Sequence, residues 1–163
     1  MGSIYIKQLT VGPMQNLSYL LGEEGGKACA VVDPGWDVLD ILGEVEKAGR
    51  RLTAVLLTHG HFDHIQGLKD LLPGRALDVY IHQDDARPLG GVSGLHQVKD
   101  GSRLNLGCVA LEFLHTPGHT PGSQCILADG NLFTGDTLFM DGCGRVDLEG
   151  SDAEAMHRSL CRI

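Results

Sequence analysis

No apolar run in this sequence reaches the roughly eighteen residues that a membrane-crossing helix needs. Its first residues, MGSIYIKQLTVG, alternate in polarity and lack the apolar core of a secretory signal. Neither a membrane partner nor export is expected, and a cytoplasmic location is. A basic excess is missing too: 13 lysines and arginines stand against 21 aspartates and glutamates, a net charge of −8 with the histidines neutral. Phosphate backbones call for a basic face, so nucleic acid is not an expected partner. The five cysteines, Cys29, Cys108, Cys125, Cys143 and Cys161, are odd in number and include no C-x-x-C pair. That speaks against a zinc ribbon or a disulfide framework. Reduced, mostly buried thiols are the expectation, with Cys143, in a glycine-rich loop, fitting a core least. No linker, low-complexity stretch or short repeat divides the chain. Its 163 residues suit one domain, 1–163, with a sizeable core.

What is present is a mixture of strand and helix patterns. IYIKQLTVG, NLSYLLGE and ACAVVDPG read as three short strands, the last two joined by an EEGGK turn. WDVLDILGEVEKAG carries Trp36, Leu39, Leu42 and Val45 at a helical period, and Gly49 closes it. LTAVLLT is a buried strand, HIQGLKDLL a short helix stopped by Pro73-Gly74, DVYIH another strand and QDDARPL a turn of helix. SRLNLG pairs with CVALEFLHT, and SQCILAD with NLFTGDTLF across a turn at Asp129-Gly130. SDAEAMHRSLCRI reads as a last helix, with Ser151 as N-cap and Glu154 completing a capping box. Strand-rich blocks with helices between them predict a layered α/β (α+β) domain.

One stretch concentrates chemistry. LLTHGHFDHIQG puts three histidines and an aspartate into six positions. His59 and His61 stand two apart, so in an extended segment they point the same way. Asp63 and His64 follow as the chain turns into a helix. A tight loop after a buried strand can thus aim four donor atoms at one small volume, unlike H-E-x-x-H, which uses one helical face. Imidazole and carboxylate suit zinc, iron or manganese. Two further loops look related. HTPGHTPGS holds His119 between two Pro-Gly steps, and FTGDTLF places Asp136 after a strand and a glycine.

In their order, THGHFDH, TPGHTPGS and GDTLF resemble the metallo-β-lactamase superfamily, and the resemblance runs from the VVDPG loop to MHRSL. The stretch GCGRVDLEGSDAEAMHRSL is similar to the glyoxalase II (hydroxyacylglutathione hydrolase-like) branch and to the related persulfide dioxygenases. The resemblance implies an αβ/βα sandwich with a metal site at one edge of two packed sheets. It implies that His59, His61 and His119 hold a first ion, that Asp63 and His64 bind a second, and that Asp136 bridges them, with Asp33 of VVDPG in support. Zinc, up to two ions, is the implied cofactor, with iron or manganese as alternatives. The family pattern continues to one more histidine, in a PGH-like loop after the MHRSL helix, so an incomplete domain is expected. Its open sheet edge could be covered by self-association. His157, on the last helix, is not expected to replace that histidine.

The activity so implied is hydrolysis of a small-molecule thioester of the hydroxyacylglutathione type by a metal-bound hydroxide, with Asp63 and Asp136 placing the ions. A thiolate leaves without protonation and no serine nucleophile is needed, so Ser123 is read as structural. Arg145 matches a basic position that contacts the carboxylate of glutathione in that branch. Asp147 stands where the branch has an aromatic residue. The alternative is a mononuclear-iron persulfide dioxygenase on His59, His119 and Asp136. A further alternative is an inactive metal-binding fragment.

Overall fold

Alternation decides the architecture. Successive residues of a strand face opposite sides of its sheet, and the strands of the N-terminal half carry apolar residues on both. The computed structural model describes residues 3–163; Met1 and Gly2, which open the alternating MGSIYIKQLTVG stretch, lie outside them. The chain runs β1 (Ile4–Val11), β2 (Asn16–Glu23), β3 (Ala28–Val32), α1 (Val38–Lys47), β4 (Arg51–Leu56), α2 (Phe62–Ile65), α3 (Leu68–Leu71), β5 (Asp78–His82) and β6 (Leu95–Val98). It continues through β7 (Arg103–Leu106), β8 (Val109–His115), β9 (Gln124–Ala128), β10 (Asn131–Phe133) and α4 (Ala153–Arg162).

Six strands form one sheet in the order β1-β2-β3-β4-β5-β6, and four form a second in the order β10-β9-β8-β7. The first two pairings are antiparallel, while β3 to β6 are parallel. One face of the large sheet, with Cys29, Val31, Val55, Val79 and Ile81, packs under Val38, Ile41 and Val45 of α1 and Leu68 and Leu71 of α3. The other face, with Ala30, Val32, Ala54 and Leu56, packs against Leu111, Phe113, Ile126 and Phe133 of the small sheet. Each large apolar side chain so buried stabilises the fold by roughly 1.5–3 kcal/mol. No helix is long and apolar enough to cross a membrane among the described residues.

Several local expectations shift. Helix α1 starts at Val38 and buries Val38, Ile41 and Val45, whereas Leu39 is 83% exposed. HIQGLKDLL is two single turns, α2 and α3, and QDDARPL is two 3-10 turns. Strand β6 was not foreseen: LHQV lacks an alternating pattern and owes its form to parallel pairing with β5. The N-cap of α4 is Asp152, not Ser151. The Asp152 carboxylate accepts the Ala155 N–H at 2.9 Å, while the Ser151 hydroxyl donates to the Leu148 carbonyl. Only Cys29 and Cys125 are buried; Cys108, Cys143 and Cys161 are exposed, and all five are free.

Candidate metal centre

Parallel pairing brings the carboxyl ends of β3, β4 and β5 to one edge of the large sheet, the usual place for a binding crevice in such sheets. Asp33 follows β3, and Thr58 to His64 follow β4. The β8–β9 connection adds His119, and the turn after β10 adds Asp136. Candidate donor atoms of His59, His61 and His119 lie within 4.8 Å of one another, as do those of His59, His64 and Asp136.

Hydrogen bonds fix which ring nitrogens face inward. The Thr58 hydroxyl donates to Asp33 Oδ2 at 2.6 Å, so its oxygen accepts from His59 Nδ1, 3.1 Å away. That leaves His59 Nε2 as the free lone pair, and this atom is buried with no hydrogen-bond partner. His119 Nδ1 donates to the Arg145 carbonyl at 2.9 Å, freeing Nε2. His61 Nδ1 lies 2.8 Å from that Nε2. His64 Nδ1 donates to Asp33 Oδ2 at 2.9 Å, and its Nε2 lies 3.3 Å from Asp136 Oδ1 and 3.6 Å from Asp63 Oδ2. The second oxygen of Asp136 is 3.3 Å from His119 Nε2. Asp136 therefore reaches toward both donor groups.

Charge divides the site. Burial, then the neighbouring rings of His64, His119 and His61, hold His59 well below the ordinary histidine range. Burial and His119 lower His61 as well. Burial also works against a charge on His64, but Asp33 and Asp136 outweigh it and push its pKa up to about 10. Asp136 is lowered: burial opposes its charge, and the hydrogen bond and charge of His64 prevail. The imidazoles of His59 and His61 with their lowered pKa, an orphaned buried Nε2 and converging carboxylates are the donor set a divalent ion requires. A third group, His82, Asp84 and His115, also has donor atoms within 4.8 Å. Its two rings, however, stack 4.0 Å apart at 7°, so one ion cannot lie in both ring planes.

Residues 11–162 match the family model of the metallo-beta-lactamase superfamily. The chain belongs to that superfamily. Among its curated relatives, it is 34% identical over 149 residues to a probable polyketide biosynthesis zinc-dependent hydrolase, BaeB, of Bacillus velezensis, covering 91% of this chain and 66% of that protein. It is 38% identical over 148 residues to a hydroxyacylglutathione hydrolase of Alkalilimnicola ehrlichii, covering 91% and 56%. The crystal structure of ETHE1 from Myxococcus xanthus superposes with a TM-score of 0.85 at 30% identity, covering 98% of this chain and 69% of that one. The chain thus spans between about half and two-thirds of the length of the curated relatives named here. The αβ/βα sandwich expected from the sequence is the superfamily fold.

In this metallo-beta-lactamase superfamily member, the six residues singled out as ligands converge, and Asp33 stands behind His64. Arg145 is placed differently from a waiting clamp. Its carbonyl serves His119, while its exposed guanidinium forks onto Asp147 with two 2.9 Å bonds. His157 is exposed and lies beside Cys161, outside both donor groups. Ser123 is buried and accepts the Thr120 N–H at 3.0 Å. Two contributors escaped the sequence reading. Thr58 relays Asp33 to His59, and its place just before the histidine cluster was the available signal. Asn16 donates from Nδ2 to Asp63 Oδ2 at 2.9 Å across 47 residues, and no local pattern marks it.

Proposed function

We propose that this centre serves a metal-dependent hydrolase of a thioester of the hydroxyacylglutathione type, with zinc as the ion and up to two bound. The observation that carries the reading is two donor groups sharing Asp136: His59, His61 and His119 on one side, Asp63 and His64 on the other. Divalent ions held there would supply a water of lowered pKa and polarise a carbonyl. The residues do the rest. His59, His61 and His119 hold the first position, and Asp63 and His64 the second. Thr58, the Arg145 carbonyl and Asp33 set the ring orientations, and Asn16 sets the Asp63 carboxylate.

A thioester suits these residues because its thiolate leaves without a proton donor; the Thr58 hydroxyl is buried and committed to Asp33 and His59, and Ser123 is tied to Thr120. The likeness to hydroxyacylglutathione hydrolase supports the class. Arg145 would bind a substrate carboxylate by exchanging Asp147 for it, fork for fork. The persulfide dioxygenase alternative needs only His59, His119 and Asp136, and leaves the Asp63–His64 arm unused.

The test is metal content by elemental analysis, with thiol release from a hydroxyacylglutathione and oxygen uptake with a persulfide run in parallel. Close to two ions per chain with thiol release is the expected result. A single iron with oxygen uptake and no thiol release overturns it in favour of the dioxygenase. Bound metal with neither activity overturns it in favour of a non-catalytic binding role.

A further inference from the structure

We propose that Asp85 is a positioning residue that ties the loop carrying His59 and His61 to the loop carrying His119, and so sets metal affinity without touching the ion. The inference rests on the reading of those three histidines as ligands to one ion. Asp85 lies in the turn after β5, inside the QDDARPL stretch that the proposed chemistry leaves unused. It is 7% exposed. Its Oδ2 accepts the Gly60 N–H at 2.8 Å and the Thr120 hydroxyl at 2.7 Å, and its Oδ1 accepts the Gly122 N–H at 2.8 Å. Gly60 separates His59 from His61, and Thr120 follows His119. One carboxylate thus grips the backbone between two candidate ligands and the side chain next to the third.

The fit is built for this contact. A Cβ on Gly122 would come within 2.7 Å of the Asp85 Cγ, and one on Gly60 within 2.9 Å of the Asp85 carbonyl oxygen. Both glycines are needed for the two loops to close on the carboxylate. All three donors are neutral, and each is engaged at ordinary hydrogen-bond length. Ser123 extends the network, its hydroxyl 2.7 Å from that of Thr120. The arrangement also demands a carboxylate. An asparagine has one acceptor oxygen, so its NH2 would face either the Gly122 N–H or the Gly60 N–H and Thr120 hydroxyl. The pair of loops would then lose one of its two grips while side-chain volume is unchanged.

The test is Co(II) titration of the metal-depleted full chain, read by visible d–d absorption, with thermal unfolding of the metal-free protein alongside. Four proteins are compared: wild type, Asp85→Asn, Thr120→Val, and Ile41→Val, a truncation in the core between α1 and the large sheet at a residue outside both donor groups. Asp85→Asn is expected to weaken Co(II) binding about 10- to 100-fold, the usual cost of losing a residue that orients a ligand, and to alter the d–d spectrum. Thr120→Val is expected to shift both in the same direction by less. Ile41→Val lowers Tm and leaves the Co(II) Kd unchanged. An Asp85→Asn protein with the wild-type Kd and spectrum overturns the proposal. So does an Ile41→Val protein that loses affinity as Asp85→Asn does, because affinity then follows global stability. If Asp85→Asn fails to fold, Thr120→Val decides, and a wild-type Kd there overturns the proposal. A wild-type chain that takes up no Co(II) overturns the ligand reading and this proposal with it, whereas uptake by wild type and Asp85→Asn alike overturns this proposal alone.

Discussion

Replacing Asp33 with asparagine separates charge from shape at the base of the site. Asp33 sits at φ 47°, a left-handed conformation that asparagine adopts readily, so the change adds little backbone strain. It is 2% exposed and accepts three hydrogen bonds. The Thr58 N–H reaches Oδ1 at 2.8 Å, while the Thr58 hydroxyl and His64 Nδ1 reach Oδ2 at 2.6 and 2.9 Å. An amide that keeps its oxygen toward the hydroxyl and the imidazole must turn its NH2 onto the Thr58 N–H. One buried donor left unmet costs about 1–3 kcal/mol, and turning a charged acceptor into a neutral one about 1 kcal/mol more. The sum is about 2–4 kcal/mol, a fall in Tm of roughly 5–15 °C for a domain of this size.

The assay is thermal unfolding of the metal-free protein followed by circular dichroism across pH. His64 has its pKa raised, from an ordinary 6.5 to about 10. Its charge pairing with Asp33 and Asp136 therefore contributes fully below about pH 6.5 and is lost as pH rises through 10. The Tm gap between wild type and Asp33→Asn should narrow over that window. A variant that melts with wild type, or a gap independent of pH, refutes the reasoning.

Three other expectations follow from the same geometry. His61→Ala should abolish hydrolysis and lower metal content; wild-type turnover in that variant refutes its place among the ligands. Arg145→Ala should raise KM for carboxylate-bearing thioesters more than it lowers kcat, and an unchanged KM removes Arg145 as the clamp. Metal uptake at about pH 8 should release a proton from His64, because imidazole ligates only when neutral. Calorimetry in buffers of different ionisation enthalpy measures it, and uptake of the second ion without proton release refutes the charged state of His64.

Much of this was legible in the chain, and the exceptions have physical reasons. Strand alternation and the continuous run LTAVLLT pointed to the two-sided sheet, since a strand buried on both faces has no polar side. Of the expected helix stripe, Val45 is buried and Trp36 and Leu42 pack against the core, but Leu39 faces solvent, because a repeat of every three residues drifts around a 3.6-residue turn. Val38, Ile41 and Val45, at steps of three and four, keep to one face. Ser151 and Asp152 are both competent caps, and the carboxylate took the helix N-terminus, where the dipole favours negative charge. The ligand motifs were readable because each is local. Asn16 and Asp85 were not, because their partners lie 47 and 25 to 37 residues away and only the fold brings them together.

The sequence names imidazoles but not the nitrogen each offers, and that choice separates one histidine from the rest. His59, His64 and His119 each commit Nδ1 to a protein oxygen, of Thr58, Asp33 and Arg145 respectively, and turn Nε2 to the centre. His61 has no such oxygen among the described residues. Its Nδ1 instead faces His119 Nε2 at 2.8 Å, while His119 commits its Nδ1 to the Arg145 carbonyl. An ion binding there must part these two nitrogens and meets a ring that only edge-on contacts with His59 and His119 orient. His61 is also less buried than the other three. Removing it therefore takes away one donor without leaving an oxygen or N–H unpaired in the interior. Loss of metal in His61→Ala with little change in the Tm of the metal-free protein would thus report ligation alone, whereas the same truncation at His59, His64 or His119 would mix ligation with the collapse of a buried network.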